Sequence, residues 1–493
     1  MTFAPEIVLG PPGTGKTTYL LNEVEQALES GIPSERIGFV AFTKKAAAEA
    51  IERATVRFDL TEKQLPHFRT LHSFAFRGIG MKRDKVLSSQ ALQEFGRILG
   101  LRLSGSVSVA EGALTSSSQG DKALFISGLA RIRCVDIKDQ WKINQEDLGW
   151  FETERVHRGL KKFKEARGLY DFTDMLEIFV LRGSVPELDL LVVDEAQDLS
   201  QLQWRMVLKL AAKANRVIVA GDDDQAIFQW AGADVPFFIN LKGKTTVLNQ
   251  SYRIPRKVQE KALEIIHKVT ERRSKNWKPR DAEGGVLYHT VADEIDMGEG
   301  TWLALARNGY LLDDIEAKCR REGLIYERAG RKSVSDRTLI AIKDWENVRN
   351  GGEVSAAAAG KFLRWIPRTT NKLPEDGRIT MENLHRDWGV TTKEIWHEAF
   401  SRMSLVERSY MIAALRRGEK LTKQPRISLS TVHGAKGGEA DNVILLSDVA
   451  QRTYKEIQRL PDNERRVLYV GLTRTKNNLH VIVPKTNYHF PDL

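Results

Sequence analysis

Leu190-Leu191-Val192-Val193-Asp194-Glu195-Ala196-Gln197-Asp198 is an uninterrupted apolar run that ends in two adjacent carboxylates. A run this short, β-branched in its second half and without polar alternation, predicts a strand buried on both faces, as at the centre of a parallel sheet. Asp194 and Glu195 then stand at its carboxyl end, the edge of an open α/β sheet where ligands bind. An acidic turn that merely ends a strand is the competing reading, and this stretch alone does not separate the two.

The nearest help comes from Glu6 to Leu9, a short apolar strand that runs into Gly10-Pro11-Pro12-Gly13-Thr14-Gly15-Lys16-Thr17-Thr18 and a helical stretch from Tyr19 to Glu29. This is the G-x-x-x-x-G-K-T pattern in the strand, loop and helix setting it requires. Its glycines let backbone N–H groups wrap phosphates, and the helix N-terminus adds its positive dipole end. Lys16 is expected on the β- and γ-phosphates of ATP and the Thr17 hydroxyl on Mg²⁺, with Asp194 as the second magnesium partner.

Other strand ends carry polar blocks. Ile37 to Ala41 ends in Phe42-Thr43-Lys44-Lys45-Ala46-Ala47-Ala48-Glu49-Ala50, where an aromatic, a hydroxyl and two lysines open an alanine-rich helix. That setting suits a phosphate backbone lying across a helix N-terminus, although a solvated lysine-rich start looks the same. Phe68-Arg69-Thr70-Leu71-His72-Ser73-Phe74-Ala75-Phe76 follows, and His72 taken alone reads as a packed histidine. Arg216 to Ala220 predicts a further strand, ending in Gly221-Asp222-Asp223-Asp224-Gln225-Ala226-Ile227-Phe228-Gln229-Trp230-Ala231-Gly232-Ala233. Gln225 is a neutral donor at the same edge, suited to sensing a γ-phosphate or orienting water. Phe228 and Trp230 offer stacking platforms for bases, worth about 1–3 kcal/mol per base. Aromatic pairs are more often core, and the polar glycine-containing loop weakens that reading here.

At 493 residues the chain exceeds what one core supports and predicts about three domains. With 42% hydrophobic residues it is globular, and a formal charge of +10 favours a polyanionic partner. Cys134 and Cys319 are the only cysteines, outside any metal-ligand spacing, and indicate neither a disulfide scaffold nor a zinc site. No signal peptide follows Met1 and no apolar stretch approaches membrane-spanning length, so a reducing, cytoplasmic setting with no membrane partner is expected.

From Met81 to Tyr170 amphipathic helices without strand signals predict an insertion, broken by the polar loop Thr115-Ser116-Ser117-Ser118-Gln119-Gly120. Its basic edge, Lys161-Lys162-Phe163-Lys164-Glu165-Ala166-Arg167, reads equally as a solvated helix face. Asp171-Phe172-Thr173-Asp174-Met175-Leu176 leads by a helix back to the first strand. Val247 to Arg253 opens a second αβ region without a phosphate loop, whose expected contribution is arginine. It continues as a helix from Pro255 to Thr270 and strands near Gly285 to His289 and Thr301 to Ala306. Residues 331–424 read as helical, carry Trp345, Trp365, Trp388 and Trp396, and break at Gly351-Gly352 and Pro374-Glu375-Asp376-Gly377. Strands Ile427 to Thr431, Val443 to Leu446 and Leu479 to Val483 close the pattern.

This ordered set of blocks resembles the UvrD/Rep-like helicases of superfamily 1 over nearly the whole chain. The pieces that carry the likeness are Gly10 to Thr17, Phe42-Thr43-Lys44-Lys45-Ala46-Ala47, Val193 to Asp198 and Gly221 to Gln225. Gln250-Ser251-Tyr252-Arg253, Thr431-Val432-His433-Gly434-Ala435-Lys436-Gly437-Gly438-Glu439 and Tyr469-Val470-Gly471-Leu472-Thr473-Arg474 complete them. The resemblance implies an α/β fold of two RecA-like P-loop domains with parallel sheets, each carrying a mainly helical insertion. Residues 1–80 and 171–249 would form the first, interrupted by 81–170. Residues 250–330 and 425–493 would form the second, interrupted by a shortened insertion, 331–424. ATP would lie in the cleft between them, with single-stranded DNA across their tops.

Position by position, the resemblance gives Gly10, Pro11, Pro12, Gly13, Thr14, Gly15, Lys16, Thr17 and Thr18 to the nucleotide, and Thr17 and Asp194 to Mg²⁺. Glu195 would activate the attacking water, Gln225 would sense the γ-phosphate, and Arg253 and Arg474 look like two arginine fingers acting from across the cleft. Tyr252 would stack on adenine, and Glu439 would contact the ribose or the phosphate end. Phe42, Thr43, His72, Phe228, Trp230 and His433 would meet DNA.

Three departures stand out. Family members have a helix with an adenine-reading glutamine before the phosphate loop, whereas nine residues precede Gly10 here, which leaves other nucleoside triphosphates open as substrates. Gly438 and Ala440 replace a leucine and an aromatic around the motif glutamate. The second insertion is short for the family, and nothing after Pro484 resembles a nuclease domain or a long partner-binding tail.

The implied activity is an ATP-dependent DNA helicase and translocase that moves 3′-to-5′ on single-stranded DNA and opens duplexes, in repair or replication. It would act as a monomer at single-stranded DNA and junctions with duplex, with a loading or repair protein as a further partner. A nucleotide-controlled translocase or remodelling subunit that does not separate strands is the alternative. An RNA-directed enzyme stays open as well, because backbone and stacking contacts carry little sugar information.

Overall fold

The structure, a computed structural model, describes residues 3–104, 109–110, 113–114, 118–144, 148–370, 372 and 375–493. Its contacts divide the chain into two compact units. The first holds Met1–Gly285, Gln451–Asn477 and Pro491–Leu493, and the second Val286–Ala450 and Asn478–Phe490.

The first unit is built on a six-stranded sheet of β1 (Glu6–Leu9), β2 (Ile37–Ala41), β3 (Phe68–Thr70), β4 (Leu188–Val193), β5 (Ala214–Gly221) and β6 (Thr245–Val247). The order is β3-β2-β4-β5-β1-β6 and every neighbouring pair is parallel. The apolar run of β4 needs no alternation because both faces are covered. Leu191 and Val193 pack with Met175, Phe179 and Trp204 on one side, while Leu190 and Val192 pack with Val24, Phe39 and Phe68 on the other. In register, Leu9 pairs with Gly221, and Val193 with both Val40 and Val219. Gly10, Asp194 and Asp222 therefore emerge at one sheet edge, as the sequence predicts.

The stretch after Met81 forms the expected helices, Ser89–Leu99, Gln119–Ile132, Ile137–Ile143 and Trp150–Arg167, around Phe95, Leu103, Val156 and Phe163. Within the expected polar loop, Thr115 to Ser117 lie outside the described residues, and Ser118 is no loop residue but the N-cap of Gln119–Ile132, accepting from Asp121 N–H. The basic edge is not wholly a solvated face either. Lys164 is buried and meets Asp171 at 2.5 Å and Asp174 at 2.6 Å, and Arg131 meets the same two carboxylates at 2.7 and 2.6 Å.

The second unit carries a seven-stranded sheet of β7 (Gly285–His289), β8 (Trp302–Ala306), β9 (Tyr326–Arg328), β10 (Arg331–Lys332), β11 (Ile427–Thr431), β12 (Ala440–Leu446) and β13 (Thr475–Ile482), in the order β10-β9-β11-β8-β12-β13-β7. β8 runs parallel to β11 and β12 at its heart. Residues 331–424 are mainly helical, and their Trp345, Phe362 and Phe400 share one core with Ala304 and Ile427 of the sheet. Trp345 and Trp396 are buried in that core, and Pro374 lies outside the described residues. The fold class is thus α/β with parallel-stranded sheets.

Residues 250–285 and 451–477, which the sequence pattern groups with the second RecA-like domain, pack within the first unit. Polar contacts tie them to the first sheet: Ser251 and Tyr252 bond the phosphate loop, and Arg272, Lys275 and Arg466 bond the Asp222–Asp224 loop. Among the described residues no helix is long and apolar enough to cross a membrane.

Candidate active site

Gly10 to Gly15 turn from β1 into the helix Lys16–Glu29. Gly13 and Gly15 take φ of 72° and 75°, the left-handed region that glycine enters without strain. A Cβ on Gly10 would lie 2.8 Å from Lys16 Cβ, and one on Gly13 would lie 2.4 Å from Arg253 Cβ, so at these two positions the cradle has no room for a side chain. The helix begins at Gly15 without a side-chain cap, which leaves its first-turn N–H groups for an anion.

Opposite the cradle, Lys16 Nζ lies 2.5 Å from Glu195 Oε1 and 3.1 Å from Asp194 Oδ1. Burial works against the Lys16 ammonium, but the two carboxylates overcome it and hold its pKa above the ordinary lysine value. Burial likewise pushes the Asp194 carboxyl up, a charge deficit that a divalent cation would relieve. Thr17, in the first helical turn, completes a donor set of hydroxyl and carboxylate that fits Mg²⁺ beside a triphosphate. Glu195 itself sits at φ 54°, a conformation non-glycine residues rarely adopt outside constrained sites. Its N–H donates to Asp194 Oδ1 at 2.8 Å, and Gln197 Nε2 donates to its Oε2 at 2.6 Å. Lys16 and Gln197 between them fix both oxygens of the candidate base.

On the same edge Gln225 Nε2 donates to Asp222 Oδ2 at 2.7 Å, and Gln225 Oε1 accepts from Arg474 Nη2 at 2.9 Å. Arg474 is buried, with Nε donating to Val470 O at 2.9 Å. Ser251 Oγ donates to Pro12 O, and Tyr252 N–H to Gly13 O, each at 2.8 Å, which seats Arg253 against Gly13. Both arginines therefore belong to the compact unit that holds the phosphate loop. Tyr252 is 74% exposed with its ring edge beside Gly15. His433 and Glu439 lie in the second unit, His433 buried and Glu439 exposed, so the structure does not gather them with the rest within one unit.

The aromatic candidates come together. The Phe42 and Phe228 rings are 5.8 Å apart, and Phe228 and Trp230 are 6.4 Å apart. Thr43 has a structural task beside any contact with phosphate, since its hydroxyl accepts from Ala46 N–H at 3.1 Å and caps the helix Lys44–Phe58. His72 meets the Phe172 ring edge-on at 6.0 Å, and burial pushes its imidazole pKa down.

Two residues with evident roles escape sequence reasoning. Gln197 lies within the opening stretch, yet nothing marks it as the bridge that holds Glu195 and also accepts from Asp222 N–H at 3.0 Å. Ser251 sits in the Gln250–Arg253 block, and only its hydroxyl-to-Pro12 bond shows why a small hydroxyl residue stands there.

Residues 3–246 match the UvrD/REP helicase N-terminal domain family, and residues 368–486 match the UvrD-like helicase C-terminal domain family. A DNA helicase II of Haemophilus influenzae is 23% identical over 613 residues, covering 96% of this chain and 81% of that relative. An ATP-dependent DNA helicase PcrA of Staphylococcus epidermidis is 25% identical over 319 residues, covering 60% of this chain. This chain spans 43% of that second relative's length. A solved structure of Arterivirus nonstructural protein 10 (helicase) with DNA aligns over 98% of this chain and 62% of its own, at 10% identity and a TM-score of 0.36.

Proposed function

The chain belongs to the UvrD/Rep-like helicases of superfamily 1, and from that premise we propose that it hydrolyses ATP to move 3′-to-5′ along single-stranded DNA and to open duplexes. The observation that supports this most is the run of contacts from Lys16 through Glu195 and Gln197 to Asp222, Gln225 and Arg474. The residues proposed for phosphoryl transfer lie on this run or border it.

The Gly10–Thr18 loop binds the triphosphate, and Lys16 exchanges its carboxylate partners for phosphate oxygens. Thr17 and Asp194 would hold Mg²⁺, which neutralises charge on the phosphates when bound. Glu195, released from Lys16, accepts the proton of the attacking water. Gln225 and Arg474 act as a pair on the γ-phosphate side, and Arg253, anchored by the bonds of Ser251 and Tyr252 to the loop, adds a second guanidinium. Tyr252 stacks on the base. Phe228, at the centre of the Phe42, Phe228 and Trp230 platform, stands three residues beyond Gln225, so a shift of the sensor loop displaces the surface on which bases stack. Two RecA-like domains, with His433 and Glu439 contributed by the second, complete the proposed machine.

ATP hydrolysis measured with and without a single-stranded DNA oligonucleotide, at low salt with magnesium, tests the reading. Strong stimulation is expected, followed by strand displacement on duplexes carrying a 3′ tail. Stimulated hydrolysis without displacement would point to the translocase that does not unwind, and absence of hydrolysis would sink both.

A further inference from the structure

A second set of buried charges stands behind the sensor loop. The Lys275 side chain is 1% exposed, and its Nζ lies 2.5 Å from Asp223, 3.0 Å from Asp222 and 3.1 Å from Asp224. Arg272 grips Asp224 with two bonds of 2.9 and 2.6 Å, and Arg273 N–H donates to Asp223 Oδ2 at 2.8 Å. Arg466 Nε donates to Asp223 O at 3.0 Å, and Tyr469 is fully buried in the field of Asp222, Asp224, Arg272 and Arg474. Consecutive carboxylates out of water repel one another strongly; burial pushes the Asp222 carboxyl up, and the Lys275 ammonium buried beside it opposes that rise.

Anchoring residues 271–275 to the first sheet would need only Asp223 and Asp224, which take the bonds from Arg272 and Arg273. Asp222 does something else: its Oδ2 accepts from Gln225, and its N–H donates to the Gln197 that holds Glu195. An ionised Asp222 can only accept and Arg474 can only donate, so together they make Gln225 present Nε2 to the first and Oε1 to the second. An Asp222 protonated on Oδ2 would set an O–H against the Gln225 NH₂ group, and the bond that helps aim Oε1 at Arg474 would be lost.

We infer that Lys275 is a positioning residue for the hydrolysis: by holding Asp222 ionised and in place, it fixes which way Gln225 faces Arg474. The inference rests on the ATP-hydrolysis reading and adds to it a residue far from the nucleotide loop in sequence.

The test is steady-state ATP hydrolysis with single-stranded DNA for the wild-type chain, Lys275→Met, Lys275→Arg and Asp222→Asn, over about pH 5.5 to 8.5, with thermal unfolding as a check on folding. Lys275→Met should lower kcat by at least about tenfold with the KM for ATP within about twofold, and should move the acid limb of kcat upward by about one pH unit or more. Lys275→Arg keeps the charge and should keep the acid limb at its wild-type position. A Lys275→Met profile that superposes on the wild type, or that falls equally at every pH while KM rises, overturns the inference. Should Lys275→Met fail to fold, Asp222→Asn, which removes a buried charge rather than exposing one, decides: reduced kcat at unchanged KM supports the role, and wild-type kcat overturns it. No turnover in the wild-type chain overturns the ATP-hydrolysis reading, and this inference with it.

Discussion

Lys16 Nζ bonds Glu195 Oε1 at 2.5 Å while lying 3.1 Å from Asp194 Oδ1, so one ammonium orients the two acidic groups that end β4. The contact adds a charged tie between the helix after the phosphate loop and the neighbouring sheet edge, beside the apolar packing of Leu20, Leu21 and Val24 against Leu190 and Val192. On the proposed mechanism, nucleotide binding exchanges an anionic partner of Lys16 for a phosphate oxygen, a substitution that keeps an anion beside the ammonium.

Glu195→Gln separates binding from chemistry at this point. The amide keeps the size and one acceptor, so Lys16 loses a charge partner but gains freedom for phosphate, and nucleotide affinity should stay within a few fold of wild type. The base is lost, and turnover should fall by about 10²–10⁴. A fluorescent nucleotide titration beside single-turnover hydrolysis reads both quantities, and wild-type turnover would remove Glu195 from the mechanism.

Gly13→Ala tests the coupling of the loop to residues 250–253. A methyl group there would sit 2.4 Å from Arg253 Cβ and 2.8 Å from Ser251 Oγ, at a φ of 72° that alanine tolerates poorly. The 250–253 segment must move away, breaking the bonds of Ser251 and Tyr252 to Pro12 and Gly13. We expect kcat to fall at least about tenfold with Arg253 displaced, while Gly80→Ala, at a positive φ with nothing within 4 Å, costs only the local strain of about 1 kcal/mol. Equal behaviour of the two variants would show that the contact with Arg253 is idle.

The distribution of what sequence shows and hides follows from range. Leu190 to Val193, Gly10 to Thr18 and Gly221 to Gln225 are local patterns whose meaning is fixed by strand burial and by phosphate geometry, and the register gathers their ends as expected. Lys275 could not be read this way. It stands in the run Glu271-Arg272-Arg273-Ser274-Lys275, which looks like a solvated surface, and its acidic partner Asp223 is 52 residues away. The grouping of 250–285 with the first sheet is hidden for the same reason, because buried charge pairs between residues far apart in sequence take part in it. Ser118 reads as loop because a polar serine run and an N-cap use the same residue types.

The aromatic platform and the phosphate contacts can be told apart by salt. Phe228→Ala and Trp230→Ala should each weaken single-stranded DNA binding by about 1–3 kcal/mol, since each removes a stacking face. Neither touches a charge, so the slope of log affinity against log salt should match the wild type, which itself should be steep for a chain of formal charge +10. Fluorescence anisotropy across a salt series measures both, and a flat wild-type slope would argue against a basic phosphate-binding surface.

The second unit should carry its own pH signature through His480. Its ring stacks on His289 with centroids 5.1 Å apart, and His289 Nε2 lies 3.0 Å from His480 Nδ1, while Trp302 packs on it at 5.1 Å. Burial, and then the neighbouring His289, pull the His480 imidazole down to about 4. In the unfolded chain the value returns to about 6.5, so between these limits the unfolded state binds the proton that the folded state refuses. The contribution of this residue to stability is therefore complete above about pH 6.5 and is lost as pH falls through about 4. The thermal midpoint of the wild-type chain should drop across that window, and His480→Gln, which has no proton to take up, should flatten the drop while lowering the midpoint at neutral pH through poorer packing against Trp302. Superposable midpoint curves for the two proteins would show that the histidine pair does not govern acid stability.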